Sequence, residues 1–238
     1  MKTIIVIPSY NEKENIRNLI EEIFNLNIKD LEIVVVDDDS PDGTWKIVKE
    51  LSKEYSALHL LHRKEGKGRG SAGVAGFKYA LAHGADYLLE MDADFSHNPK
   101  YIPAFLERMN EADVVIGSRA VPGGGDVGRS RVRRVITRLA NLYTRIVFGF
   151  KVRDCNSGFR CFKRKVIEDI DLDRTMSEGP AIVQEWLYKT HVKGFKIKEI
   201  PIVFKERELG QSKLQIKGLY KGYFMVLKLK LLSLMGKL

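Results

Sequence analysis

The chain has 238 residues, 44% of them hydrophobic, and carries a formal net charge of +9. That size suits one large domain, or one domain with a small appendage, and two cysteines, Cys155 and Cys161, without CxxC spacing exclude a disulfide framework or a zinc site. No signal-peptide core opens the sequence and no apolar run reaches the ~20 residues that cross a bilayer, so a cytoplasmic protein is expected, free to lie on a membrane surface.

Taken in chain order, KTIIVI (2–7) is a short β-branched run stopped by Pro8 and reads as a buried strand. Asn11 and Glu14 suggest a helix cap ahead of Ile16, Leu19, Ile20 and Ile23, which recur at helical spacing. LEIVVVDD (31–38) predicts a second buried strand closed by DSPDG, followed by a helix through Trp45, Val48 and Leu51 and a strand at 57–63. The glycine-rich EGKGRGSAGVAG (65–76) lacks the order of a phosphate-binding P-loop and predicts a tight turn into a helix ending near His83. A strand at 87–92, a helix at 98–109 and a strand at 112–119 complete an alternation that implies parallel βαβ units and an α/β sheet. Four strands end in polar clusters, PSYNE, DDDSPD, DADFSH and GSR. Ligands of such sheets sit beyond the carboxyl ends of the strands, so the four clusters are expected to form one site.

Beyond Arg119 the composition changes. VPGGGDVGRS (121–130) reads as a mobile loop, and 131–150 as an amphipathic helix whose Arg131, Arg134, Arg138 and Arg145 fall within about 60° of one another at 100° per residue. Residues 129–165 hold 12 Lys/Arg against one acid, while the rest of the chain sums to −2. A localised basic band points to an anionic partner, whether nucleic acid, phosphate groups or anionic lipid. The segment 217–238 is apolar but punctuated by lysines, and is expected to form an interfacial helix.

Asp92 and Asp94, two apart across Ala93, can converge on one point, and hard cations such as Mg²⁺ or Mn²⁺ share carboxylate oxygens with substrate phosphates. A DxD alone is common by chance. Two strands away, the acids of VVVDDDSPDG offer acceptors to a nucleobase, and PSYNE offers an aromatic ring and another acid. Together these describe a nucleotide-diphosphate site.

IIVIPSYNEKEN, EIVVVDDDSPDGTW, MDADFSHNP, VVIGSR, DCNSGFRCFKR and FKERELGQSKL span residues 4–214 in a fixed order. In these motifs the chain resembles family 2 glycosyltransferases of the GT-A fold, specifically the dolichol-phosphate (polyprenol-phosphate) mannose synthases. The resemblance implies a GT-A nucleotide-diphospho-sugar transferase fold, mostly parallel in its central sheet and flanked by helices. A catalytic domain over 1–214 would carry the basic interface helix, and 215–238 would form the C-terminal helix. It implies inverting transfer of mannose from GDP-mannose to a polyprenyl (dolichyl) phosphate with Mg²⁺ or Mn²⁺, at the cytoplasmic face of a membrane, with a small anchoring subunit as a possible partner. By position, Pro8, Tyr10, Glu12, Val36 and Asp38 would hold the nucleoside, and Asp92, Ala93 and Asp94 the diphosphate, metal and sugar. Where several relatives carry Gln or a similar third metal ligand stands Ser96, a weaker donor that water can replace. Arg119, Arg207 and Lys213 would reach the donor phosphates.

The physical chemistry of the residues agrees. Negative charge grows on the departing diphosphate and calls for cations, and a phosphate acceptor, already anionic, needs no strong base. Arg131, Arg134 and Arg138 would receive the lipid phosphate at a membrane surface. Asp154 and Glu185 are candidates for orienting groups, although Arg119 could equally be a core ion-pair partner and Glu185 a helix-face acid. Rival readings are a UDP-glucose-dependent glucosyltransferase, a basic nucleic-acid-binding module, and a catalytically silent membrane-docking subunit. The basic helix lacks interleaved aromatics for base stacking, and acidic strand ends would repel a nucleic-acid backbone, so no nucleic-acid partner is expected.

Overall fold

The computed structural model describes residues 1–177, 179–206 and 216–238, the last segment with side chains from residue 222 onward. Its β-branched runs form strands β1 (Thr3–Ser9), β2 (Leu31–Asp37), β3 (Leu58–His62), β4 (Tyr87–Glu90) and β5 (Val114–Ser118). With β7 (Arg160–Lys163) and β8 (Ile197–Pro201) they make one seven-stranded sheet in the order β3-β2-β1-β4-β7-β5-β8. β1 pairs in parallel with β2 and β4, β2 with β3, and β5 with β8. β7 alone runs against its neighbours, β4 and β5. The sheet is thus mixed, not purely parallel, and RCFK is too short and too charged at its ends to advertise a central strand.

Period-two alternation divides the core between the two faces. Ile5, Ile7, Ile33, Val35, Leu89 and Val115 meet α1 (Ile16–Phe24), α2 (Thr44–Glu54) and α4 (Ile102–Arg108). Ile4, Val6, Val34, Val36, Leu88 and Val114 meet α3 (Arg69–Ala82), α6 (Arg164–Ile170) and α7 (Ile182–Val192). α3 lies so near the strands that a Cβ on Gly76 would stand 2.3 Å from Val6 Cγ1 and 2.9 Å from Val36 Cγ2. The glycine run therefore seats a helix on the sheet as well as turning the chain.

Two local expectations are corrected. Asn11 does not cap α1: it takes a left-handed φ of 59°, and the helix starts at Ile16 behind Asn15, whose side chain bonds Glu12 at 2.8 Å. The loop expected to be mobile contains β6 (Gly125–Val127), held in parallel by β9 (Val203–Lys205) in a two-stranded sheet. The apolar side of α5 (Arg131–Phe148) is divided, with Tyr143 and Val147 packed against the core. Asn141, Thr144 and Phe148 are its buried residues, while Ile136, Leu139 and Ile146 remain exposed. α5 does begin at Arg131, capped by Ser130, and ends at a left-handed Gly149.

α8 (Ile216–Leu234) runs against α5 and α7, burying Val226 and Leu229 in the main core. Phe224, Leu227, Leu231 and Leu234 stay exposed. Both cysteines are buried free thiols, as expected. Among the described residues no helix is long and apolar enough to cross a membrane.

Candidate active site

β1, β2, β4 and β5 point the same way, so their four polar carboxyl ends share one sheet edge, as the sequence implied. Backbone contacts knit the first two clusters together: Asn11 N–H donates to Ser40 Oγ at 3.0 Å, Glu12 N–H to Thr44 Oγ1 at 2.9 Å and Lys13 N–H to Asp42 Oδ2 at 3.0 Å. Asp37 folds the turn by accepting from Ser40 N–H and Oγ–H at 2.8 and 2.6 Å. Pro8 is buried opposite Val36 in the ladder, and Tyr10 is 42% exposed at the rim. Val36's side chain is sunk among Val6, Ala72 and Phe77, so only its backbone can face a ligand. Asp38 Oδ2 accepts from Gly68 N–H at 2.7 Å. Its Oδ1 is buried 3.3 Å from Arg63 Nη1 without hydrogen-bond geometry, an acceptor short of a donor.

DADFSH leaves the sheet past Glu90 and curls back on itself at Phe95, whose φ is 60°. That turn brings Ser96 N–H to Asp94 Oδ1 at 3.1 Å, with Ser96 Oγ–H donating to the same oxygen. Asp94 and Ala93 are buried, whereas the Asp92 side chain is 36% exposed. Asp92 is held from two sides. Arg69 Nη2 lies 3.1 Å from its Oδ1, and its own N–H donates to His97 Nδ1 at 3.0 Å. His97 stacks on Phe159 with centroids 4.9 Å apart, and its burial holds the imidazole below the usual histidine range, so the neutral ring can accept.

Behind the loop stands Glu90, wholly buried, taking Arg69 Nη1 at 2.6 Å and Arg160 Nη2 at 3.2 Å. Burial opposes the charge on Arg69, but Glu90 and Asp92 outweigh it and push the guanidinium above its ordinary range. Neither Arg69 nor His97 was anticipated. Arg69 sits inside the glycine run, and the short side chains around it let α3 approach until its guanidinium spans Glu90 and Asp92.

Arg119 forms a fork with Asp154, Nε to Oδ2 at 2.7 Å and Nη2 to Oδ1 at 2.8 Å, and lies over the Phe204 ring at 5.2 Å. The ion-pair reading of Arg119 thus holds, beside the site rather than in the core. Phe204 is also 5.9 Å from His97, which links this pair to the DxD loop. Burial disfavours the Asp154 carboxylate, yet Arg119 holds it below the ordinary aspartate range. Asp154 also receives Asn141 Nδ2 at 3.4 Å, tying the edge to α5. Glu185 is placed elsewhere: buried, it accepts from Met176 and Ser177 N–H and pairs with Lys189 at 2.9 Å, an anchor for the 176–177 segment. Arg131, Arg134 and Arg138, with Val135, line one open cleft of about 270 Å³. Arg207 and Lys213 lie outside the described residues.

Among the described residues no three His, Cys, Asp or Glu side chains converge as a metal cage. What DADFSH offers is two carboxylates and a hydroxyl. That hard oxygen set fits Mg²⁺ or Mn²⁺ whose coordination is completed by substrate phosphates and water.

Comparison with known proteins bears on this site. The model of the family described as Glycosyl transferase family 2 matches residues 4–171. An undecaprenyl-phosphate mannosyltransferase of Micrococcus luteus is 39% identical over 90% of this chain and 88% of its own. A polyprenol monophosphomannose synthase of Mycolicibacterium smegmatis is 37% identical over 94% of this chain and 85% of its own. A dolichol-phosphate mannosyltransferase of Pyrococcus furiosus is 39% identical, and the match covers 93% of this chain and 61% of that longer protein. In structure, glucosyl-3-phosphoglycerate synthase of Mycobacterium tuberculosis, solved with Mn²⁺, UDP and phosphoglyceric acid, superposes with a TM-score of 0.67 over 98% of this chain and 78% of that one. At 19% identity that likeness establishes the shared α/β GT-A fold alone.

Proposed function

The chain belongs to glycosyl transferase family 2, and from that premise we infer that it transfers mannose from GDP-mannose to the phosphate of a polyprenyl lipid, with inversion at the anomeric carbon. It is a glycosyltransferase of the polyprenyl-phosphate mannosyltransferase type. The observation that carries the site assignment is the DxD loop at the strand edge. Asp94 is fixed by Ser96 and Asp92 by Arg69 and His97, while the three arginines expected to take a lipid phosphate share one cleft on the neighbouring helix.

In this reading Asp38 lies beside the base, and Pro8, Tyr10, Glu12 and the Val36 backbone frame the nucleoside. Asp92 and Asp94, with Ser96 or water, would hold Mg²⁺ or Mn²⁺, which supplies positive charge to the leaving diphosphate. Arg69 keeps Asp92 oriented, and Asp154 does the same for Arg119 at the phosphate end. Arg207 and Lys213 add cationic charge there. Arg131, Arg134 and Arg138 seat the acceptor phosphate, which attacks from the face opposite the leaving group. That oxygen is already anionic, so no side chain need remove a proton. The exposed apolar sides of α5 and α8 support a peripheral position on a membrane in this reading, alone or with a small anchoring subunit.

The test offers GDP-mannose, UDP-glucose and UDP-N-acetylglucosamine with a short polyprenyl phosphate and Mn²⁺ to wild type and to Asp94→Ala. Mannolipid from wild type is expected, with a loss of about 10²–10³-fold in the variant on the scale of removing a transition-state charge stabiliser. Full turnover by Asp94→Ala refutes the metal assignment, and glucolipid in place of mannolipid refutes the donor.

A further inference from the structure

We propose that α5 carries, beyond the arginines assigned to the acceptor, a second anion pocket that takes the phosphate headgroup of an anionic membrane phospholipid. An open cleft of about 360 Å³ is lined by Arg138, Asn141, Leu142, Arg145, Arg153 and Ala120. Arg145 lies seven residues past Arg138, about 10 Å further along the helix axis. Left-handed Gly149 then ends the helix, and the returning chain sets Arg153 beside the same cleft.

Among the described residues the Arg145 side chain makes no ion pair, and its buried Nε has no hydrogen-bond partner. No carboxylate there claims its guanidinium, and arginine binds phosphate through its N–H groups. The nearby acids do not fill the role. Asp154 is committed to Arg119 and Asn141, and Glu199 accepts from the backbone N–H groups of Arg153 and Asp154 at 2.9 and 3.0 Å.

The surroundings favour a lipid over a dissolved phosphate. Leu142 forms part of the cleft and is 49% exposed, and Leu139 and Ile146 stand beside it at 58% and 71%. α8, packed alongside, adds exposed Phe224, Leu227 and Leu231. A headgroup in the cleft would leave its acyl chains against this apolar rim. The inference rests on the membrane placement given above, but not on the transfer chemistry.

Arg145→Gln/Arg153→Gln tests it by cosedimentation with phosphatidylcholine vesicles containing either phosphatidylglycerol or, at matched surface charge, oleate. Neither donor nor acceptor is present. Each arginine near an anionic surface is worth about fivefold, so diffuse charge alone should cost the pair on the order of 25-fold on oleate. The loss on phosphatidylglycerol should be several times larger, and Lys29→Gln/Lys49→Gln, with the same charge change on a distant surface, should bind as wild type does. Transfer to a short acceptor in vesicle-free solution and the urea midpoint should not change. Equal losses on both vesicle types leave only diffuse charge and overturn the pocket. A parallel loss of vesicle-free transfer assigns the arginines to the acceptor site, and tight saturable binding of inorganic phosphate, abolished in the variant, assigns them to a soluble ligand. A wild type indifferent to both vesicles refutes the proposal while leaving the transfer reaction standing.

Discussion

Glu90→Gln probes the scaffold beneath the DxD loop. Glu90 has no exposure to solvent, and its two oxygens hold two guanidiniums, Arg69 and the equally buried Arg160. Gln keeps the shape but removes the charge, leaving Arg160, among the described residues, with the Val183 carbonyl at 2.7 Å as its strong acceptor. Breaking a buried pair by removing one partner costs about 3–5 kcal/mol, because the surviving charge stays desolvated. Arg69 retains Asp92, which places the expected loss near the lower end, about 3 kcal/mol. With a urea m-value of about 3 kcal/mol/M for a chain of this size, the unfolding midpoint should fall by about 1 M. Arg174→Gln is the contrast. Its contact with Asp171 is 3.8 Å long, with the arginine side chain 80% exposed, and should be worth less than about 0.5 kcal/mol. Turnover should also fall in Glu90→Gln, since Arg69 loses the anchor that aims it at Asp92. A midpoint shift no larger than that of Arg174→Gln refutes the view that Glu90 organises the cluster.

Gly76→Ala forces a methyl into the space of Val6 Cγ1 and Val36 Cγ2, both on strands buried at the sheet centre. The overpacking should cost about 1–3 kcal/mol despite alanine's better helix propensity, and an unchanged thermal midpoint shows that α3 can slide outward freely. Asp154→Asn should lower stability by about 3 kcal/mol at pH 7, as Arg119 loses its fork. The folded carboxyl of Asp154 is depressed, so its contribution is present above the unfolded value of about 3.9 and is lost as pH falls through the folded value. The gap between wild type and variant in urea titrations should therefore close below about pH 4. A gap constant down to pH 3 refutes the charge assignment.

The strand edge was legible because two signals coincide at the same positions: β-branched runs long enough to be buried, each ended by a cluster that cannot be. β1, β2, β4 and β5 carry both, and their carboxyl ends meet as expected. The basic helix was legible for a related reason, since arginines at helical spacing reveal a face whatever that face meets. β7 was not legible. RCFK has four residues with charges at both ends, and Arg160 can lie in the centre of a sheet only because Glu90, 70 residues earlier, awaits it. Local pattern carries no trace of such a partner. Arg69 was hidden in the same way, its glycine neighbours pointing to a turn and not to the guanidinium they deliver. Asn11 failed for a different reason. Asn is favoured both as a helix cap and in left-handed turns, and here the turn that carries its N–H to Ser40 prevailed.

The same long-range pairing explains how so many carboxylates can gather at one half-buried edge. Most acids there are met by a cation or donor from elsewhere in the chain, Asp38 by Arg63 and Gly68, Asp92 by Arg69 and Asp154 by Arg119, while Asp94 is met within its own loop by Ser96. Repulsion is relieved inside the fold, so the edge is shaped before any ligand arrives. A diphosphate approaching it meets acids whose charge is already largely compensated, with the arginines of α5 beyond them. In the proposed reading the nucleoside end would lie on the β1–β2 side, beside Asp38. The phosphate end would lie toward the β4–β5 side, nearer the arginines of α5 that share one cleft. The polarity of the substrate would then follow the rise in positive charge from the acidic strand ends to the basic helix.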